Sequence, residues 1–251
     1  MIRLFVIFTV FISFSYNVFS KEYYELRTYK LNSPEKAAAF DKMMAAAVPL
    51  LASTELKSIG VFKARGDESG DKNWRYVLKS CSSLDGIAES SSALANEEFL
   101  EQARDYLSYT KSDPSFSRIS ISTFVAFDGF PTLISPEKDK GGKRFFELRT
   151  YESHNELKAY MKVKMFNDGE LDIFADVGLK GVFFGRALSG ENLPNLTYML
   201  VYDNEDQKKS AWSSFIKSPD WESMKSEEIY KDTVSKIVSI FLVPTSYSQI
   251  R

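Results

Sequence analysis

Tyr23-Tyr24-Glu25-Leu26-Arg27-Thr28-Tyr29 returns later in the chain as Phe145-Phe146-Glu147-Leu148-Arg149-Thr150-Tyr151. Five of these seven positions are identical, and the other two are aromatic in both copies. Residue 145 follows residue 23 by 122, and further matches keep that offset: Ala37 with Ala159, Lys42 with Lys164, Met43 with Met165, Asn73 with Asn195, Tyr76 with Tyr198, Leu78 with Leu200. Chance does not hold one spacing over half a repeat. The sequence reads as two copies of one unit of about 105–120 residues, an ordinary domain size. The period is too long and the copies too few for a solenoid.

Each copy parses in the same order. The first stretch, over 23–31, alternates and is rich in aromatic residues, which predicts a strand. Ser33-Pro34-Glu35 supplies an N-cap, a first-turn proline and an acidic first turn. Ala37, Phe40, Met43, Met44, Ala47 and Leu51 then recur at helical spacing, and Pro49 is expected to end or kink that helix. Strands follow over 56–65 and 74–79 around a Gly-rich charged loop. A mostly helical stretch over 84–107, broken near Asn96, leads to a last strand over 119–127. The second copy gives strands over 145–151, 181–187, 196–202 and 237–243, with helices over 156–166 and 206–230.

The order β-α-β-β-α-β is that of a ferredoxin-like split βαβ unit, with both helices on one face of a four-stranded antiparallel sheet. The other face must be covered, and a second such sheet is the simplest cover. The expected class is therefore α+β: two ferredoxin-like βαββαβ domains packed sheet to sheet, an intrachain dimeric α/β-barrel. The expected boundaries are a leader at 1–20, a first domain at 21–128, a Pro-, Gly- and charge-rich linker at 129–143 and a second domain at 144–251.

Residues 1–20, MIRLFVIFTVFISFSYNVFS, place Arg3 before a short apolar run that gives way to polar residues. This pattern predicts a secretory signal cleaved before Lys21, with export to the periplasm or exterior and no stable membrane insertion afterwards. The chain has 32 Lys+Arg against 34 Asp+Glu, so broad electrostatic binding to nucleic acid has no support. A single His, His154, and a single Cys, Cys81, exclude intrachain disulfides and zinc sites built from several His and Cys ligands. No metal site and no cofactor are expected. Cys81 reads as a buried small hydrophobe.

Neighbours on a strand point to opposite faces. The expectation is that Tyr24 and Leu26 meet the helices, and that Glu25, Arg27 and Tyr29, with Glu147, Arg149 and Tyr151, line a space between the sheets. Such a set fits a structural ion pair that fixes packing. It also fits a polar lining in which Arg holds a carboxylate or enolate and Glu or Tyr moves a proton. His154 is expected in a solvated loop or helix cap beside Asn155. Arg186 and Lys63 sit at corresponding strand ends as basic rim residues, and Trp212 and Trp221 read as core aromatics.

At these residues the chain resembles the NIPSNAP family. The resemblance rests on the aromatic-aromatic-Glu-Leu-Arg-Thr-Tyr strand at 23–29 and 145–151. It is supported by the glycines at 60 and 181–185 and by Pro219-Asp220-Trp221. The first copy departs from that last element at Glu97-Glu98-Phe99, so its second helical region is expected to be irregular. The resemblance implies tandem domains in a dimeric α/β-barrel, a fold shared with small monooxygenases, lactone isomerases and haem-degrading proteins. It implies no established reaction. Three functions follow as expectations: a small ligand bound between the sheets; cofactor-independent chemistry on a carbonyl or phenolic metabolite; or haem handling through His154. Whether the chain is an enzyme stays open at this point.

Overall fold

The computed structural model describes residues 20–66, 73–137 and 144–251. Residues 1–19 of the expected leader lie outside the described residues, as do 138–143 of the expected linker. The first half contains β1 (Tyr23–Leu31), α1 (Pro34–Ala52), β2 (Leu56–Ala64), β3 (Trp74–Cys81), the short helices α2 (Leu84–Glu89), α3 (Glu97–Gln102) and α4 (Arg104–Leu107), and β4 (Phe116–Ala126). The second contains β5 (Phe145–Glu152), α5 (Glu156–Met165), α6 (Leu171–Asp176), β6 (Lys180–Ser189), β7 (Asn195–Tyr202), α7 (Glu205–Lys217), α8 (Pro219–Ser226) and β8 (Lys236–Pro244).

Local chemistry sets these boundaries. Ser33 caps α1 by accepting from the Lys36 amide, and Asn155 and Asn204 do the same for α5 and α7. Asn96 breaks the first half's second helical region as expected, because its side chain accepts from the Phe99 amide and starts α3. Pro49 lies in the last turn of α1, which ends at Ala52. Little helix is left there for the ring to disrupt. A wider turn over Phe166–Glu170 joins α5 to α6, a helix the sequence reading does not contain.

The eight strands run β1-β3-β2-β8-β5-β7-β6-β4 and close into a barrel through β4 and β1, with every ladder antiparallel. The halves join through two short seams. β2 pairs with β8 at Phe62, Lys63 and Ala64, and β4 pairs with β6 over residues 123–126. Beyond each seam the following chain covers the remaining strand edge. After β8, the amides of Thr245 and Gln249 donate to Val61 and Ile59 at 2.9 and 3.0 Å; after β4, those of Phe127 and Ile134 donate to Phe184 and Val182 at 3.1 and 2.9 Å. The first part of the expected linker is thus a packed edge cover, with Leu133 against the barrel interior. Edge strands that would otherwise invite pairing are removed.

The inner face corrects the strand reading. Tyr24 and Leu26 point into the barrel with Phe62, Tyr76, Leu78, Phe124, Phe146, Leu148, Phe183, Met199 and Leu242. Glu25, Arg27 and Tyr29, like Glu147, Arg149 and Tyr151, lie on the outer face, towards the helices. The reason is dielectric. A barrel closed by eight strands offers a low dielectric and few polar partners, so aliphatic and aromatic side chains fill it, and charges go where helix-borne groups and solvent can meet them. The two halves complement each other there. Gly60 and Phe62 in β2 take the ladder positions held by Phe183 and Gly185 in β6, small against large.

The same ladders correct the third strand of the repeat. Thr28 pairs with Tyr76, but Thr150 pairs with Thr197, so the structural offset there is 121 (76 against 197) and not 122. Tyr76 therefore points inward while Tyr198 points to the helices. A one-residue slip exchanges the faces of a strand.

Candidate functional site

In the first half, β1 presents Glu25 and Arg27 side by side beneath the helices. Arg27 engages Glu25 with two nitrogens, Nε to Oε1 at 2.6 Å and Nη2 to Oε2 at 3.0 Å. From β3, Lys79 Nζ reaches the same Oε1 at 3.2 Å and also bonds Ser90. Burial raises the Glu25 carboxyl pKa, but the Arg27 hydrogen bond and the Lys79 charge reverse this and leave it below its ordinary value. Burial likewise lowers the Lys79 ammonium, with Glu25 opposing. Tyr29 packs against Phe40 of α1 in a tilted pair, with ring centroids 4.6 Å apart. Around this set the core is largely aliphatic, drawn from α1, β2 and the short helices.

The second half repeats the strand and rewires it. Glu147 Oε1 accepts from Arg149 Nη1 at 2.6 Å and from Ser239 Oγ of β8 at 2.5 Å, and its Oε2 accepts from the Tyr202 hydroxyl at 2.5 Å. Trp212 Nε1 of α7 donates to Tyr202 at 2.8 Å. Arg149 Nη2 donates to Tyr151, whose hydroxyl meets that of Tyr198 at 2.8 Å. The Arg149 guanidinium lies under the Trp212 ring, 4.7 Å from its centroid. Its Nε is buried and has no hydrogen-bond partner among the described residues. The Arg149 side chain is 16% exposed, and Ser239 beside it is exposed, so the set touches solvent along the β8 side of α7.

Protonation states follow from these contacts. Burial pushes Glu147 upward, but the Arg149 charge and the Ser239 and Tyr202 hydrogen bonds overcome it, and the carboxyl sits below its usual range. Burial and the Glu147 charge raise the Tyr202 phenol, and burial with its tyrosine neighbour raises that of Tyr198 well above normal. At neutral pH the set holds an ionised carboxylate, a fixed cation and, at Tyr198 and Tyr202, neutral phenols. Behind it, Lys162 Nζ pairs with Glu170 Oε2 at 2.6 Å, both fully enclosed, and burial raises the Glu170 pKa.

The remaining candidates fall out plainly. His154 is exposed on the outside of the barrel beside the α5 cap, which removes the haem reading that needed it to face a cavity. Cys81 is buried, its Sγ 3.4 Å from the Glu55 carbonyl. Trp221 is a core aromatic against Phe215, whereas Trp212 is part of the Arg149 set. The sequence reading missed the contributions of Tyr198, Tyr202, Ser239 and Lys79. Their signal was the cross-strand register, which a single offset cannot supply. Among the described residues, no three His, Cys, Asp or Glu side chains gather as a metal site, and no helix is long and apolar enough to cross a membrane.

This architecture, two ferredoxin-like halves closed into one eight-stranded antiparallel barrel with helices outside, is that of the dimeric α/β-barrels. Residues 146–249, in the second half of the chain, match the NIPSNAP family. Among solved structures, the chain is similar to a candidate monooxygenase from Fusobacterium nucleatum, at a TM-score of 0.59 and 11% identity over 90% of this chain and 94% of that one. It is similar to another candidate monooxygenase from Lactobacillus acidophilus, at 0.58 and 10% over 89% and 94%. A chlorite dismutase from Candidatus Nitrospira defluvii follows at 0.54 and 9%, over 92% and 94%. At such identities the likeness is one of fold. No curated protein matches the sequence significantly.

Proposed function

We propose that this is an exported protein of two tandem NIPSNAP-type domains that binds a small molecule against the outer face of its second sheet, beneath α7. The observation that carries the reading is the unequal use of the repeated arginine. Arg27 spends Nε and Nη2 on Glu25, whereas Arg149 shares Glu147 with Ser239 and Tyr202 and keeps a buried Nε without a partner under Trp212. A partly exposed guanidinium held by Glu147 through a single nitrogen and set against an indole suits a carboxylate or enolate oxygen. The reading places the ligand beneath the helices and not between the sheets, where side chains fill the space. It also favours binding over acid–base chemistry. A carboxylate held low and phenols held high are poorly matched to moving protons near neutral pH. Export rests on the leader pattern of residues 1–20.

Native mass spectrometry of the chain purified from its producing cell tests this. The expected result is a bound small molecule that Arg149→Lys loses and Arg27→Lys keeps. Retention of the same mass by Arg149→Lys, or a chain that carries none, would return both sets to a purely structural role.

A further inference from the structure

The two seams of the barrel are equivalent by register, yet one is filled by the chain's own aromatic side chain and the other is open. At the first, Lys63 of β2 pairs with Val243 of β8; at the second, Arg186 of β6 pairs with Val125 of β4. Two residues after the equivalent donors Thr245 and Phe127 come Tyr247 and Gly129. Tyr247 packs its ring into the first half's core and donates to Asp41 of α1 at 2.7 Å. Gly129 has no side chain to do the same. The position of Asp41, carried to α5 by the repeat, is Val163. A cavity of about 340 Å³ lies at this second seam, walled by Val125, Phe127, Val163 and the exposed ring of Tyr160.

Charge decides what would enter it. Two of the three cations at the rim are already matched: Lys21 with Asp128 and Lys164 with Asp168, each at 2.5 Å. Asp168 also accepts from Tyr230. The third cation, Arg186, is exposed, and its side chain has no hydrogen bond or ion pair among the described residues. The open seam thus offers the space of a phenol ring, a lining that is part apolar and part polar, with Asn167 beside the paired Asp128 and Asp168, an aliphatic Val163 where the filled seam has an acid, and one guanidinium without a partner.

We propose that this seam pocket is a binding site for a small aromatic monocarboxylate, with its ring where Tyr247 sits in the other seam and its carboxylate on Arg186. The volume lies at the small end for ligand pockets, which suits a single ring. A planar guanidinium is the natural partner of a carboxylate. The site is separate from the Arg149 set and does not depend on it.

Calorimetric titration of the full chain with 4-hydroxybenzoate is the test, with 4-hydroxybenzamide and inorganic phosphate as comparison probes. The expectation is saturable binding of one 4-hydroxybenzoate per chain, at least tenfold weaker for the amide and for phosphate. Arg186→Gln should weaken it about tenfold or more, the scale of a lost charge-assisted bond. Lys63→Gln, at the other seam, should leave it unchanged. Melting curves show whether each variant is folded, and Tyr160→Ala, at an exposed position, provides a second way to weaken the site. The proposal is overturned if no saturable binding occurs, if the amide or phosphate binds as tightly, or if folded Arg186→Gln binds like the unaltered chain.

Discussion

The two Glu-Arg-Tyr sets share a sequence and differ in wiring. In the first half the carboxylate answers to two cations, Arg27 and the buried Lys79, and the arginine is bound by two nitrogens. In the second, Leu200 occupies the ladder position of Lys79, and Glu147 draws on a serine, a tyrosine and one arginine nitrogen. The first set is closed upon itself. The second is tied by Trp212 and Tyr202 to α7 and leaves a donor unused. A repeated strand is therefore wired differently in the two halves, because the cross-strand neighbours changed while the strand did not.

The largest effects should come from the carboxylates. Glu25→Ala and Glu147→Ala each strand buried cations and are expected to lose about 3–5 kcal/mol in denaturant unfolding at neutral pH. The pH dependence should separate them. Without Glu25, Lys79 keeps a folded-state pKa still further below its unfolded value, so stability rises as pH climbs through that window. The Glu25→Ala deficit should shrink towards pH 10, and that of Glu147→Ala, whose stranded cation is an arginine, should not. Parallel deficits across the range would show that the two sets are energetically alike.

Next in size is the tail. Ile250 is wholly buried in the barrel interior, and Ile250→Ala should cost about 2–5 kcal/mol by thermal or urea unfolding. Leu133→Ala, at the partly buried linker residue that also reaches the interior, should cost less. An equal loss would mean that the linker closes its seam as firmly as the tail does.

In acid, the unaltered chain should lose stability through both carboxylates. Their folded-state pKa values lie below the unfolded value of roughly 4.3, so their contribution is complete above that value and is lost as pH falls through the folded ones. Unfolding midpoints between about pH 6 and pH 3 should fall less steeply in the double variant Glu25→Gln, Glu147→Gln. Smallest of all, Lys79→Leu copies the second half's residue into the first. It should change stability by under about 1 kcal/mol, since the lost ion pair is offset by relief from burying an ammonium.

Particular residues show how far the sequence could be read. Ser33, Asn96 and Asn155 announce their helix starts because a cap is a local interaction, complete within four residues. The helix α6 was hidden, because the Phe166–Glu170 turn before it interrupts any helical period. Alternation alone puts the candidate Glu, Arg and Tyr residues on the wrong side of their sheet. Tyr198 was matched to Tyr76 although the two point in opposite directions.

The sequence by itself determined the recurring strand, the order of the strands and hence the class of fold, since these rest on identities and on periods that neighbouring residues carry. Only the tertiary structure decided which face of each strand is inside. Alternation defines two faces but does not say which will be sealed by seven other strands and which roofed by helices. That depends on partners more than fifty residues away, and it is the low dielectric and the scarcity of polar partners inside the closed barrel that send the charges outward.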